Sequence, residues 1–370
     1  MNRIHFSICH FLLSLLLLVS ACTGDSNSDT APTFDRQAML DHYAKNMIRP
    51  AYTDLQTAVN ALQNSADAFV SAPDVAKLQA TQTAWASAYK MWQAANAFNF
   101  GPGGEEGVRK GLIEEIGTFP AAEGKIEAAI TANDHSLNNF DRDARGFLAL
   151  EYLLFGKNKT SSELVSDFQN STARQAHLQA IVNNLKTRVD AVVSGWDTYE
   201  SDFVKNKGTD VGSSTSQLYN EFVRSFESIK NFKVGLPAGK RPGQTKSEPQ
   251  LVEAFYSGQS LEMMKLHFQA IEHLYYGRTK NGTSGLSFKD YLESVEGGKA
   301  LVALTEAQIK VIKEAFAKIP TDQPFSVLVA NNDPTVDVLH TELQKHTRFF
   351  KSDMSSLLGI AITFSSGDGD

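Results

Sequence analysis

The stretch RGFLALEYLLFG, residues 145–156, is the segment that says most about the fold. Its apolar side chains cover all sides of a helix rather than one stripe, which is typical of a helix in the interior of a helical protein. Glu151 is the one carboxylate in this run, and on a helix it shares a face with Phe147 and Leu154. Since an unpaired buried carboxylate is very costly, we expect Glu151 to be hydrogen-bonded, protonated or metal-bound.

A second stretch, HFQAIEHLYYG at residues 267–277, matches the first one. Glu272 aligns with Glu151, and Gly277 aligns with Gly156. Each copy follows, several tens of residues downstream, a helical segment that runs into a loop of glycine and proline, NFGPG in one case and VGLPAG in the other. The alternative is chance similarity between apolar helices. The repeat favours two helical-bundle domains related by internal duplication, with Glu272 buried at a place comparable to that of Glu151.

The rest of the chain shows helical periodicity, with apolar residues that recur at three- and four-residue steps and few alternating patterns. We therefore predict an all-α protein. The most linker-like segment, KNKGTDVGSSTS, begins at residue 205 and predicts a boundary between an N-terminal bundle at 36–205 and a C-terminal bundle at 206–370. One segment near the C-terminus, LGIAITF, is compatible with either a helix end or a strand.

The N-terminus has the features of a secretory signal: a basic start, a short apolar core and small residues before a cysteine. The sequence VSAC resembles the bacterial lipobox, so we expect residues 1–21 to be removed and Cys22 to carry lipid. An ordinary signal peptide is the alternative. Residues 22–35 are small and polar and predict a tether. The expected location is the outer membrane, facing the periplasm or the cell surface, and the net charge of −7 argues against nucleic acid as a partner.

The other candidate residues carry weaker signals. His267 and His273 flank Glu272, but a zinc signature of the H-x-x-E-H type would require a histidine where the chain has Gln269. His340 and His346 share the same spacing on an amphipathic segment, and we expect them to flank solvent. Lys233 lies upstream of the basic loop GKRPG, and together they could meet an anion or form a solvated loop. No nucleophile and base pair can be assembled from the sequence, so we assign no catalytic residue.

The stretch at 145–156 resembles the signature helix of the imelysin-like family, whose pattern is G-x-H-x-x-E followed by an apolar run and glycine. Further stretches that resemble this family are MIRPAYTDL, AWASAYKMWQ, KNFKVGLPAGK and LLGIAITFSSGDGD, so the resemblance covers nearly the whole mature chain. It implies an all-helical protein of two bundles in the periplasm or on the outer membrane, encoded in genomes often near iron-uptake genes. A metallopeptidase assignment gave the family its name, and some relatives are metal-binding components of iron transport.

The chain departs from the family pattern at one position. Gly146 and Glu151 match the motif, but Leu148 occupies the place of its histidine. Leucine cannot ligate a metal or transfer a proton, so the family's metal site is in doubt here. The resemblance implies iron or another divalent metal as a cofactor, and the residues themselves establish none.

These observations favour a non-catalytic accessory lipoprotein in iron or haem uptake, which would bind a ligand or partner in the crevice between its bundles. A metal-dependent peptidase and a structural or partner-docking lipoprotein are the alternatives. The expected partners are the membrane, through the lipid anchor, and an outer-membrane receptor for iron or haem. The candidate ligand-binding residues are Glu151, Glu272, His273 and His267.

Overall fold

Helices dominate the structure, a computed structural model that describes residues 34–106, 110–138 and 140–364. The chain is 71% helical, and the described residues contain no β-strand, only an isolated bridge between Arg278 and Ser284. The predicted all-α class is therefore confirmed. The predicted signal peptide, Cys22 and most of the predicted tether lie outside the described residues.

The described ranges form fifteen α-helices. In chain order they are α1 Arg36–Tyr43, α2 Arg49–Ser71, α3 Val75–Ala95, α4 Leu112–Ile116, α5 Glu123–Thr131, α6 Gly146–Phe155, α7 Ser161–Gln169, α8 Thr172–Lys205, α9 Ser214–Ser228, α10 Ser260–Tyr276, α11 Phe288–Glu293, α12 Gly298–Lys318, α13 Phe325–Ala330, α14 Pro334–Arg348 and α15 Ser355–Leu358. None of the helices in these ranges has the length and apolar character that a membrane crossing requires.

Three short π-helical segments continue α-helices instead of ending them. Ala44–Ile48 joins α1 to α2, Phe349–Met354 joins α14 to α15, and Ile229–Gly235 extends α9. A π-helical turn widens the backbone and shifts the faces that follow it, and such turns often lie at functional sites. The segment Ile229–Gly235 becomes important below because it carries Asn231 and Lys233.

The core is continuous across residue 205. Helix α2 packs against α3 and α8, α12 packs against α14, and α3 also packs against α10. Tyr43 at the end of α1 ties distant parts of the chain together, since its hydroxyl donates to the carbonyl of Leu274 (2.7 Å) and accepts from the amide of Phe288 (2.9 Å). The residues from Phe34 onward form one compact unit. The boundary at 205/206 and the internal duplication both remain predictions.

Helix starts follow ordinary capping chemistry. Thr160 and Glu163 form a capping box at the start of α7, and the Ser171 hydroxyl accepts from the amide of Arg174 at the start of α8. Ser213 does the same for α9. The cap at Ser213 lies in the predicted linker, so that linker ends where a serine can satisfy the free amides of the next helix.

The structure tests two sequence expectations near the C-terminus, one for the segment LGIAITF and one for His346. In LGIAITF, α15 ends at Leu358, Gly359 adopts a left-handed conformation with φ 64°, and the residues after it form neither helix nor strand. The Thr363 amide instead donates to Asn220 Oδ1 (2.7 Å). The expectation that His346 flanks solvent is wrong, because its ring is fully buried against Phe226 and Phe350.

Candidate functional site

The signature helix α6 begins at a glycine that no other residue could replace without strain. Gly146 has φ +73°, and a Cβ added there would lie 2.5 Å from the carbonyl oxygen of Ile116. Such a position favours glycine on both conformational and steric grounds. The carbonyl of the next residue, Phe147, accepts from Trp85 Nε1 (2.8 Å), which fixes the start of α6 against α3. The motif glycine thus allows close packing of α6 on α4 and α3.

Glu151 lies in the middle of α6, 1% exposed. Its Oε1 accepts a hydrogen bond from the backbone amide of Ser257 (2.8 Å), in a loop more than a hundred residues away. Burial raises the pKa of Glu151 to about 7, and the nearby carboxylate of Glu253 acts in the same direction, while the hydrogen bonds from Ser257 and Tyr256 oppose the rise. Glu151 therefore joins the first half of the chain to the loop that precedes α10.

A buried ion pair lies beside this carboxylate. Lys233 and Glu253 are 3% and 2% exposed, and Lys233 Nζ lies 2.9 Å from Glu253 Oε2. Lys233 also donates to Gln93 Oε1 (2.7 Å), and the Tyr89 hydroxyl donates to Glu253 Oε1 (2.5 Å). Burial lowers the pKa of Lys233, and the charge of Glu253 opposes that shift. Since both charges are buried and hydrogen-bonded, removal of either partner would leave the other in an apolar interior.

A histidine and a serine extend the polar cluster. Ser225 Oγ lies 2.7 Å from His267 Nε2 and 3.1 Å from Asn96 Oδ1. Burial drives the pKa of His267 well below its ordinary value, and the charge of Lys233 adds to the effect, so the ring is neutral. When the Ser225 hydroxyl donates to Asn96 Oδ1, it must accept its second hydrogen bond from His267 Nε2. The neutral imidazole then carries its proton on Nε2 and none on Nδ1. That buried Nδ1 has no hydrogen-bond partner among the described residues.

These groups form one wall of a partly open cavity of about 350 Å³. It lies between elements from both sides of residue 205, because α3 and the segment around Gly117 line it from one side and α9, its π-helical extension and α10 from the other. Asn231 also lines the cavity, and its Nδ2 is buried without a hydrogen-bond partner among the described residues. The opposite walls are apolar: Trp92, Ile113, Phe119, Phe232, Leu236 and Phe364.

A larger depression of about 920 Å³ lies next to this cavity and shares Arg224 with it. It is more open and is lined by four glutamates: Glu105, Glu106, Glu114 and Glu221. Burial raises the pKa of Glu221 to about 7, and Arg224 lies 3.3 Å from its carboxylate. Ligand sites are usually apolar cavities with a few convergent polar groups. The smaller cavity fits that description and is our candidate site.

The structure separates the residues that the sequence singled out. His267 lines the cavity, and Glu151 is linked to its wall through Glu253. His273 instead lies half-buried in a small pocket with Arg278, and burial lowers its pKa. Glu272 is less buried than Glu151, with its side chain 12% exposed. It lines a groove between α10 and α12, where its carboxylate pairs with the exposed Lys313 (3.0 Å). That the two glutamates occupy comparable places in the two halves remains a prediction.

The signature helix does not fit a metal ion. Leu148 is 2% exposed and offers no donor atom, and the carboxylate of Glu151 already accepts from the Ser257 amide. In the three described ranges, no three side chains of the His, Cys, Asp and Glu types are grouped so that they could hold one ion. We therefore derive no step through a metal at this helix.

Sequence reasoning missed the ion pair of Lys233 and Glu253. Glu253 lies in LVEAFY with apolar neighbours, the same signal that identified Glu151, so the same physical reasoning would have found it. The sequence places Lys233 near a basic loop that could meet an anion, but its amine is paired with Glu253 in the interior. No sequence pattern indicates that a π-helical turn directs this lysine inward.

The architecture defines an all-helical protein with a buried carboxylate in its signature helix and a cavity between its two halves. The sequence model of the Imelysin family matches residues 48–348. Iron-regulated protein A of Synechococcus elongatus is 22% identical over 311 residues, which cover 81% of this chain and 80% of that protein.

Two solved structures share the fold. One is a putative iron-regulated protein A precursor from Parabacteroides distasonis, with a TM-score of 0.73 and 18% identity over 89% of this chain and 97% of that one. The other is an imelysin-like protein from Psychrobacter arcticum, with a TM-score of 0.69 and 19% identity over the same shares. The chain belongs to the Imelysin family.

Proposed function

We propose that this protein is a non-catalytic accessory in iron or haem acquisition, which binds a small organic ligand in the cavity between its two halves. A metal would then arrive as part of the ligand, as in an iron chelate. The observation that carries the proposal is the cavity wall, where buried groups from α3, α9 and α10 converge on an otherwise apolar space. The names of the relatives, which refer to iron regulation, favour the iron context.

The polar wall specifies the kind of ligand. The charges of Lys233 and Glu253 neutralise one another, so selection at this wall would depend on hydrogen bonds more than on net charge. Asn231 and His267 both line the cavity, and their buried Nδ2 and Nδ1 atoms have no hydrogen-bond partner among the described residues. A ligand that carries both an acceptor and a hydroxyl or amide donor would satisfy both groups.

The apolar walls favour a ring system. Trp92, Phe119 and Phe232 line the space, and aromatic faces stack well on planar rings. A volume of about 350 Å³ lies at the low end of the range for small-molecule sites. An aromatic iron chelator of the catecholate type fits these walls better than a complete haem macrocycle does.

Binding is favoured over peptide hydrolysis by the state of the signature helix. A catalytic zinc needs protein ligands and an open position for water. Leu148 removes the histidine that the family motif would supply, and Glu151 is held by a backbone amide. A purified protein that cleaves peptides in a chelator-sensitive manner would refute this part of the proposal.

A direct test compares two glycines, one packed against the cavity wall and one in open space. A Cβ at Gly117 would lie 2.8 Å from the Trp92 ring, whereas a Cβ at Gly124 would have no neighbour within 4 Å. Isothermal titration with ferric 2,3-dihydroxybenzoate, ferric citrate and haemin would measure binding to the wild type and to both alanine variants. We expect the catecholate to bind, and Gly117→Ala to weaken it by about tenfold, a loss of about 1.4 kcal/mol.

The control Gly124→Ala should bind as the wild type does. The absence of heat with all three probes, or equal affinity in Gly117→Ala and Gly124→Ala, would contradict a ligand site in this cavity. Strong binding of haemin alone would support a ligand site in this cavity but would show that its ligand is a haem and not a catecholate. Quenching of tryptophan fluorescence that disappears in Trp92→Phe would independently place the ligand beside Trp92.

The location is part of the same proposal. We propose that lipid on Cys22 holds the protein at the outer membrane, where it serves an iron or haem receptor. The motivation is the sequence VSAC after the apolar leader. Cys22→Ser should move the protein from the membrane fraction to the soluble fraction. A variant that stays with the membrane, together with a wild type that carries no lipid mass, would refute the anchor.

A further inference from the structure

Two histidines meet at the other end of the N-terminal half, in a place unrelated to the cavity lining. His135 lies in the loop after α5, and His177 lies in the second turn of α8. Their Nδ1 atoms are 3.2 Å apart, with the ring planes tilted by 57°. His177 is 1% exposed, whereas His135 is half-buried in a loop of exposed residues. An ion could therefore reach the pair from solvent.

The hydrogen bonds around the pair define which nitrogens are free. His135 Nε2 lies 3.0 Å from Asn133 Oδ1, and an amide oxygen can only accept, so Nε2 carries the proton of the neutral ring. His135 Nδ1 is then unprotonated, and its lone pair is directed at His177. In this arrangement Asn133 does what outer partners of metal-bound histidines commonly do, which is to fix the tautomer and the ring orientation.

His177 can present a second lone pair at the same point. Its Nδ1 faces His135, and its buried Nε2 has no hydrogen-bond partner in the part of the chain that the structure describes. A shift of one proton from Nδ1 to Nε2 would direct both Nδ1 lone pairs toward one point.

The spacing suits one ion. Two metal–nitrogen bonds of about 2.1 Å at a tetrahedral angle separate their nitrogens by about 3.4 Å, close to the observed 3.2 Å. The nearest acidic groups are engaged elsewhere: Asp134 accepts from the Ser136 amide, and Glu127 binds Arg174. The pair thus supplies two protein ligands and leaves positions for water or an external ligand. This is consistent with the described residues having no group of three ligand-type side chains.

We propose that His135 and His177 form a two-histidine site for a divalent transition-metal ion that prefers imidazole ligands, Zn²⁺ or Cu²⁺. Cu²⁺ should bind more tightly than Zn²⁺ at such a site, as it does at nitrogen sites generally. The site is independent of the proposed ligand cavity and does not use the signature helix.

The experiment uses the purified protein without a histidine tag, stripped with chelator and titrated separately with ZnCl₂ and CuCl₂. We expect about one ion per chain by calorimetry and elemental analysis. Metal should also raise the melting temperature, because it binds only the folded state. His135→Ala, a substitution in a loop, should abolish both effects. His177→Gln should also abolish both effects. If this buried variant fails to fold, the result for His135→Ala alone tests the proposal.

His273→Ala provides the matched control, because it removes a half-buried histidine from α10. It should bind metal as the wild type does. Electron paramagnetic resonance of the copper form should show two coordinated nitrogens, reduced to one or none in His135→Ala. A wild type that binds neither ion, or a His135→Ala protein that keeps its full stoichiometry, would overturn the proposal.

Discussion

The helices α6 and α10 carry aligned sequences but bury different parts of them. Eight of the ten residues of α6 are buried, so the helix is enclosed on nearly all sides. In α10 only eight of seventeen residues are buried, spaced three and four apart along one stripe. Consequently Glu151 is fully enclosed and accepts from a backbone amide, while Glu272 is partly exposed and pairs with Lys313.

The two helices also begin differently. Helix α6 begins at Gly146, whose positive φ allows a close approach to Ile116. The aligned residue of α10 is His267, which lies well inside a continuous helix and lines the cavity. The same residue pattern thus forms a short, enclosed helix in one half and a longer, one-sided helix in the other. The role of a carboxylate is decided by what surrounds its helix more than by the helix's own sequence.

The largest effect should come from the start of α6. Gly146→Ala forces a left-handed conformation on alanine and places a Cβ against the Ile116 backbone, so unfolding should become easier by more than about 3 kcal/mol. Urea denaturation would measure the change. Gly124→Ala, in an open helical position, should be neutral or slightly stabilising. Equal changes in the free energy of unfolding for the two substitutions would refute the steric clash with Ile116 as the cause.

The paired carboxylates give the next contrast. Glu151→Ala leaves the Ser257 amide without its acceptor and creates a void, so we expect a loss of about 3 kcal/mol. Glu272→Ala breaks a partly exposed ion pair with Lys313, so the loss should stay below about 1 kcal/mol. Thermal and urea unfolding of both variants would test the difference. Similar losses at the two sites would show that their environments are equivalent after all.

A smaller contrast concerns the lost motif histidine. Leu148→His places a polar ring in a buried position and should lower the stability by about 2 kcal/mol. Gln269→His, at the aligned exposed position of α10, should change it by less than about 0.5 kcal/mol. Each new histidine lies three residues before a glutamate, Glu151 or Glu272, so added zinc should stabilise Leu148→His more than Gln269→His only if the buried pair belongs to a residual metal site. Calorimetric melting of both variants with and without zinc would measure this difference.

Much of the architecture could be predicted from the sequence. The helical periods, the loops of glycine and proline and the burial of Glu151 all follow from local patterns, and the all-α class is confirmed. The partial exposure of Glu272 could not be predicted, because it depends on how α12 lies beside α10. Residues within one helix do not determine which neighbours pack against it.

The site was less predictable for a similar reason. Lys233 and Glu253 are twenty residues apart, and they meet only because a π-helical segment and a loop direct them inward. His135 and His177 come from a loop and a helix whose approach no spacing rule describes. His346 has the spacing of a surface residue but is enclosed by aromatic rings supplied by other elements. Contacts between distant elements require the fold itself.

The most direct test of the central claim, that Glu151 is a buried structural carboxyl, is the pH dependence of the free energy of unfolding in the wild type and in Glu151→Gln. The pKa of Glu151 rises from an ordinary 4.5 to about 7. The folded protein therefore favours the protonated form, and this stabilisation is present below about pH 4.5 and lost as the pH rises through about 7. The wild type should lose about 2 kcal/mol more than Glu151→Gln between about pH 5 and about pH 8. Parallel pH profiles for the two proteins would contradict the claim.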